Sequence, residues 1–202
     1  CTEIADEPQG IDDAGNGTPL TIRATASGFV SCVQGDTPAT RTPTENGYTT
    51  EFNDGDAIGI FALKEYATPD VTPVDGVYNL KLVYTKAADG SGSWAPASGD
   101  THVLYNYDDD LVYVAYYPYR EGITIKQDIE TEIFKDLAAN AKLQPAADQS
   151  TPAAYTGSDL MAAVASPTVD PANANKKVLT LKFEHLHALL VLKPMGLVNC
   201  VP

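Results

Sequence analysis

Glu51–Ala62 reads EFNDGDAIGIFA, and the fold follows from how this stretch divides. Its first half is a turn: Asn53 and Asp54 offer side-chain acceptors, and Gly55 tolerates positive φ. Its second half, Ile58–Leu63, is a short apolar run bounded by polar residues, the pattern of a buried strand. None of these side chains is chemically reactive. The stretch is architecture, and its neighbours must show what the architecture carries.

The chain has 202 residues, of which 44% are hydrophobic, enough to bury a substantial core. Its formal net charge is −14, with only 13 Lys and Arg. That balance argues against nucleic acid as a partner and against adsorption to anionic lipid through protein charge. No apolar run approaches the roughly 20 residues that cross a bilayer as a helix. The sequence starts at Cys1, as expected for an exported precursor cut before a cysteine that then carries lipid on its sulfur. A start produced by trimming is the alternative. Cys32 and Cys200 form an even pair that could bridge in an oxidising compartment, or remain free buried thiols.

Residues 1–19 are rich in Asp, Glu, Gly and Asn and read as a flexible tether, and residues 20–202 as one domain. Leu20, Ile22 and Ala24 alternate with Thr21, Arg23 and Thr25, a half-buried strand. The stretch 37–47, TPATRTPTENG, is an exposed loop whose one basic residue is Arg41. Such a loop arginine suits a trypsin-like protease, and an ordinary surface arginine is the alternative. Tyr78, Leu80, Leu82 and Tyr84 mark a further strand, as do Leu179, Leu181 and Phe183. Leu111–Tyr119 is apolar on both parities and predicts a central strand covered on both faces, ended by Pro118. Ile129, Ile133, Phe134 and Leu137 predict one short amphipathic helix. Gln144–Thr156 reads as loop, and Ser158–Ala165 as an apolar element of either type. Several strands between turn-rich loops, with at most one short helix, predict an all-β sandwich.

Chemistry is sparse. His185 and His187 share a face two residues apart on a regular strand, but that face carries Leu181 and Phe183, and a zinc site lacks further ligands, so a structural pair, or a bend placing one of them at the surface, is expected. The run 106–110, NYDDD, lacks the ligand spacing and closing Glu of a calcium loop and reads as a solvated turn. Trp94 is expected in the core or at its rim, with a ligand platform as the alternative. No nucleophile elbow, phosphate loop or dinucleotide fingerprint is present. The expectation is no enzyme, no cofactor and no metal.

The pieces also form an ordered pattern: LTIRATA, Arg41–Thr42, Phe52 with Gly55-Asp56-Ala57-Ile58-Gly59-Ile60-Phe61, Trp94, Tyr116-Tyr117-Pro118-Tyr119, Asp148-Gln149-Ser150 with Tyr155 and Ser158-Asp159-Leu160-Met161, then Phe183, His185 and Ala188. Together they resemble the fimbrillin family, subunits of type V pili of anaerobic Gram-negative bacteria. The resemblance implies a transthyretin-like β-sandwich of about seven strands and export as an outer-membrane lipoprotein anchored through Cys1. It also implies surface display as a pilus subunit or an accessory or anchor adhesin. Assembly would proceed by donor-strand exchange, in which proteolysis at Arg41 releases one strand and a neighbouring subunit supplies its replacement. Arg23 is a second cleavage candidate, protected within its strand.

Members of that family usually carry two sandwich domains, whereas this chain is expected to end soon after the first. On that expectation the strand exchanged between stalk subunits is missing from this chain, which puts its polymerisation in question. An anchor or accessory subunit, a truncated product and a domain fragment all remain open. A different class of function is a lipid-anchored binding module that recognises glycan or host protein through its loops and Trp94.

Overall fold

The computed structural model describes residues 17–26, 51–64, 77–88, 92–99, 101–125 and 130–187. The fold is all-β. Its strands are β1 (Thr18–Ala26), β2 (Ala57–Lys64), β3 (Leu80–Lys86), β4 (Gly92–Pro96), β5 (Tyr105–Asn106), β6 (Leu111–Tyr117), β7 (Met161–Ala165), β8 (Thr168–Asp170) and β9 (Asn173–His185). They form one curled sheet in the order β4-β3-β2-β6-β7-β9-β1-β5, with β8 paired to β9 beside this path. The helix α1 (Glu130–Ala139) has 10 residues, and α2 (Pro152–Thr156) is a single turn of 5.

β9 turns the sheet into two layers. Leu20–Ala26 of β1 pair with its residues Lys177–Phe183, whereas its last residues, Glu184 and His185, pair with β7. The pairings of β7 and of Thr168 and Val169 in β8 with β9 keep one register, which shifts only before Asp170, so β7-β8 and β9 are arms of one hairpin. Its ladder is interrupted between Ala162–Glu184 and Thr168–Val178, where β7 stays beside β6. The main core lies between the layers, with Leu20 and Ile22 from one side and Ile58, Ile60, Leu82, Tyr113 and Met161 from the other. Burying this layer is the dominant favourable term in the fold.

Strand parity explains the continuous apolar runs. In β2, Ile58, Ile60 and Ala62 enter the main core, while Phe61 and Leu63 face a second one. In β6, Tyr113, Ala115 and Tyr117 face the first, and Val114 and Tyr116 the second. Ile133 and Leu137 of α1 cover that second face, with Ile123, Leu143 and Leu160 beside them. The central strand and the amphipathic helix expected from the pattern are therefore two parts of one arrangement.

The turn before β2 forms as expected at Gly55, where φ is 89°, and Asp54 Oδ1 accepts the Lys86 N–H at 3.0 Å. Asp56 closes it: its carboxylate accepts the Asn53 N–H at 2.7 Å. One alternation fails. Tyr78 lies in the second core against Phe61, with ring centroids 4.9 Å apart, whereas Leu80, Leu82 and Tyr84 belong to the first. Asn79 separates them at φ 50°, a left-handed conformation that breaks the strand parity. Its side chain is held there by Tyr116 and Arg120, the Nδ2 donating to the Arg120 carbonyl at 3.0 Å. Of the segment read as loop, residues 152–156 form α2, and β7 resolves the ambiguous element after it.

Candidate functional site

β1 has an unusual place in the sheet. Its ladder with β9 is parallel, and every other described pairing is antiparallel. On its other edge only Thr18 and Pro19 pair, with Asn106 and Tyr105 of β5. Among the described residues, Leu20–Ala26 have no ladder partner on that edge. A strand held this way is bound mainly by one ladder and by its inward side chains. Leu20 and Ile22 are 5% and 4% exposed, while Thr21, Arg23 and Thr25 point to solvent. β1 also begins at Thr18, inside the segment read as tether.

Aromatic side chains fill the core below the far end of β1. Phe52 touches Trp94, Phe183 and Tyr117 edge-on, at centroid separations of 5.1, 5.4 and 5.8 Å. Phe183 is the ladder neighbour of Ala26. Trp94 is 4% exposed and stacks obliquely on Tyr84 at 5.1 Å, so it is a core residue, as expected.

Polar groups clamp the rest of the sandwich. Asn106 is buried, donates from Nδ2 to the Asp108 carbonyl at 2.8 Å, and thereby shapes the acidic turn. That turn is ion-paired: Lys64 lies 2.8 Å from Asp108, and Lys177 meets Asp109. The Lys64 ammonium holds the Asp108 carboxyl below its usual range. His185 Nδ1 lies 2.7 Å from Asp159 Oδ1, and both side chains are nearly buried, at 6% and 10% exposure. His187 Nδ1 is 3.3 Å from the Ser158 carbonyl. A carboxylate and a carbonyl only accept, so both Nδ1 atoms are donors. Arg120 Nη2 donates to the Gly157 carbonyl at 3.1 Å. The segment 157–159 is thus tied to β9 and to the end of β6. Nearby, the Tyr117 hydroxyl donates to Asp56 Oδ1 at 3.3 Å. Burial raises the Asp56 carboxyl above its ordinary value, against the lowering effect of the Asn53 and Tyr117 hydrogen bonds. Burial, with the Asp56 charge beside it, lifts the Tyr117 phenol well above its ordinary value.

Cys1, Cys32, Arg41, Ala188 and Cys200 lie outside the described residues. Arg23 is exposed on β1 opposite Thr180, inside the ladder. Both histidines are tied to the segment 158–159, and the sequence spacing does not point to Asp159 as a partner of His185. The signal available was the SDLM piece, whose Asp is otherwise unexplained beside an apolar strand. Among the described residues no three His, Cys, Asp or Glu converge as metal ligands, and no helix is long and apolar enough to cross a membrane.

A family model described as fimbrillin-like matches residues 40–195 of the chain. The chain is also similar to a Bacteroides ovatus protein named "Putative fimbrium tip subunit Fim1C", at 34% identity over 197 residues. That alignment covers 96% of the chain but 32% of the relative, so the chain spans about a third of that protein's length. No solved structure matches the chain.

Proposed function

The chain belongs to the fimbrillin-like family, and from that premise we propose that it is a surface subunit of a fimbrium that joins its neighbours by strand exchange. It is a structural and interaction protein rather than an enzyme. Lipid on Cys1 anchors the precursor to the outer membrane, and a cut at Arg41 frees the segment that contains β1. A strand from another subunit then takes the place of β1 beside β9, over the core. The relative's designation favours an accessory position at the tip over a repeating stalk position.

The position of β1 carries this reading. It lies N-terminal to Arg41, supplies Leu20 and Ile22 to the core, and is joined to the body chiefly through β9. Its removal leaves an apolar groove beside an open strand edge, which β-augmentation fills with main-chain hydrogen bonds and side-chain pockets. Arg23 is protected by its ladder, which favours Arg41, in a stretch whose sequence reads as loop, as the cleavage position. In the competing reading, a binding module that uses its loops and Trp94, Trp94 offers no platform because it is buried.

Mass spectrometry of the protein from native membranes, before and after arginine-specific proteolysis, tests the proposal. The expected result is lipid on Cys1, a cut after Arg41 and none after Arg23 in the folded precursor. An unmodified Cys1 together with a cleaved chain that stays monomeric would sink it.

A further inference from the structure

The groove that β1 fills is graded in size, and we infer that it selects its occupant by that grading. The occupant is a strand of another subunit carrying two large aliphatic side chains at alternate positions and then two small ones, read along β9 from Lys177 to Phe183. The inference rests on the strand-exchange reading and adds the chemistry of the incoming strand.

Leu20 and Ile22 stand opposite Lys177 and Leu179 and are almost wholly buried. The next inward positions, Ala24 and Ala26, are half-buried against the same core, opposite Leu181 and Phe183. Phe183 is packed on Phe52, and Phe52 in turn on Trp94, Tyr117 and Tyr84. The fully buried Phe183, beside Ala26 in the ladder, and the rings packed on it therefore border the space into which a larger residue at position 26 would extend. A close-packed interior resists added methylenes, because room for them requires off-rotamer side chains or backbone shifts. The outward positions 21, 23 and 25 are exposed and accept polar residues. Fit and hydrophobicity thus make opposite demands: a strand with four large inward residues is more apolar yet fits worse.

The test uses the 202-residue chain cut with an arginine-specific protease, which is then inhibited, and labelled peptides. One peptide has the sequence Thr18–Ala26; a second carries Ala24→Leu and Ala26→Leu; a third carries Leu20→Ala and Ile22→Ala. The first peptide is expected to bind, and the other two about tenfold more weakly or worse. If the four-large peptide binds as well as the first, the grading is wrong while strand exchange stands. If no peptide binds, both are wrong. A parallel measurement needs no cleavage: Ala26→Leu in the uncut chain is expected to lower the thermal midpoint, and an unchanged or higher midpoint refutes the grading.

Discussion

Gly59→Ala is the sharpest perturbation of the sandwich. Gly59 sits in β2 directly opposite Tyr116 of β6, and the Tyr116 ring lies across it. A Cβ at position 59 would come within 2.2 Å of Tyr116 Cε1, 2.6 Å of Cζ and 2.7 Å of the hydroxyl oxygen. The ring has nowhere to go, being fully buried in the second core. Its hydroxyl lies 2.6 Å from Asn79 Oδ1 and 2.8 Å from the Arg120 carbonyl, and accepts the Arg120 N–H at 3.2 Å. Overpacking costs about 1–3 kcal/mol. Moving the hydroxyl away from its partners adds about 1 kcal/mol for each hydrogen bond loosened. Against this, alanine recovers roughly 0.5–1 kcal/mol of backbone entropy that glycine loses on folding. The expected net loss is about 2–4 kcal/mol, a large share of the roughly 5–15 kcal/mol that holds a typical domain. Urea unfolding by circular dichroism reads the loss, with Trp94 fluorescence reporting the other core. In the double variant Gly59→Ala/Tyr116→Leu the clash is gone, so its cost is expected to fall below the sum of the single costs by about 1 kcal/mol or more. A Gly59→Ala variant within about 0.5 kcal/mol of the parent would refute the reasoning.

Three further outcomes follow from the polar clamps and the aromatic core. His185→Ala strands the nearly buried Asp159 carboxylate and is expected to cost about 2–4 kcal/mol, with most of that loss absent in an Asp159→Ala background; additive costs in a double-mutant cycle would contradict the pairing. The raised Asp56 carboxyl means the folded state binds more protons just above that group's ordinary value of 3.8, so Asp56 makes stability fall as pH rises through that window. Asp56→Asn is expected to remove this slope in urea midpoints taken between about pH 3.5 and 6, and an unchanged slope would count against it. Trp94, the one tryptophan in the chain, is expected to emit as a buried indole and to be indifferent to added glycans, while Trp94→Ala costs about 3–5 kcal/mol; emission quenched by a soluble glycan would revive a binding role.

Most of the layer plan was legible in the sequence because strand parity and helical spacing are local signals. Ile58–Leu63 and Leu111–Tyr117 are apolar on both parities because helix α1 covers their second face, and Ile133 and Leu137 announced that helix. What escaped notice depends on distant partners. The left-handed Asn79 is held by Tyr116 and Arg120, far along the chain, so the spacing of Tyr78, Leu80, Leu82 and Tyr84 does not reveal that Tyr78 faces the other core. The parallel pairing of β1 with β9 joins the two ends of the described chain, and alternation in Leu20–Ala24 records burial without recording direction. Likewise His185 announced burial, but only the bend from Ser158 into β7 brings Asp159 to it.

The most direct test of strand exchange is a photo-crosslinking residue placed at Thr180, an exposed position beside Arg23 in the β1–β9 ladder. In the uncut precursor, irradiation should link Thr180 to the chain's own residues 20–26. In fimbriae assembled from the same variant, mass spectrometry should find the link on a different polypeptide, with the chain's own β1 absent. An intramolecular link to β1 in the assembled fimbria would contradict the account.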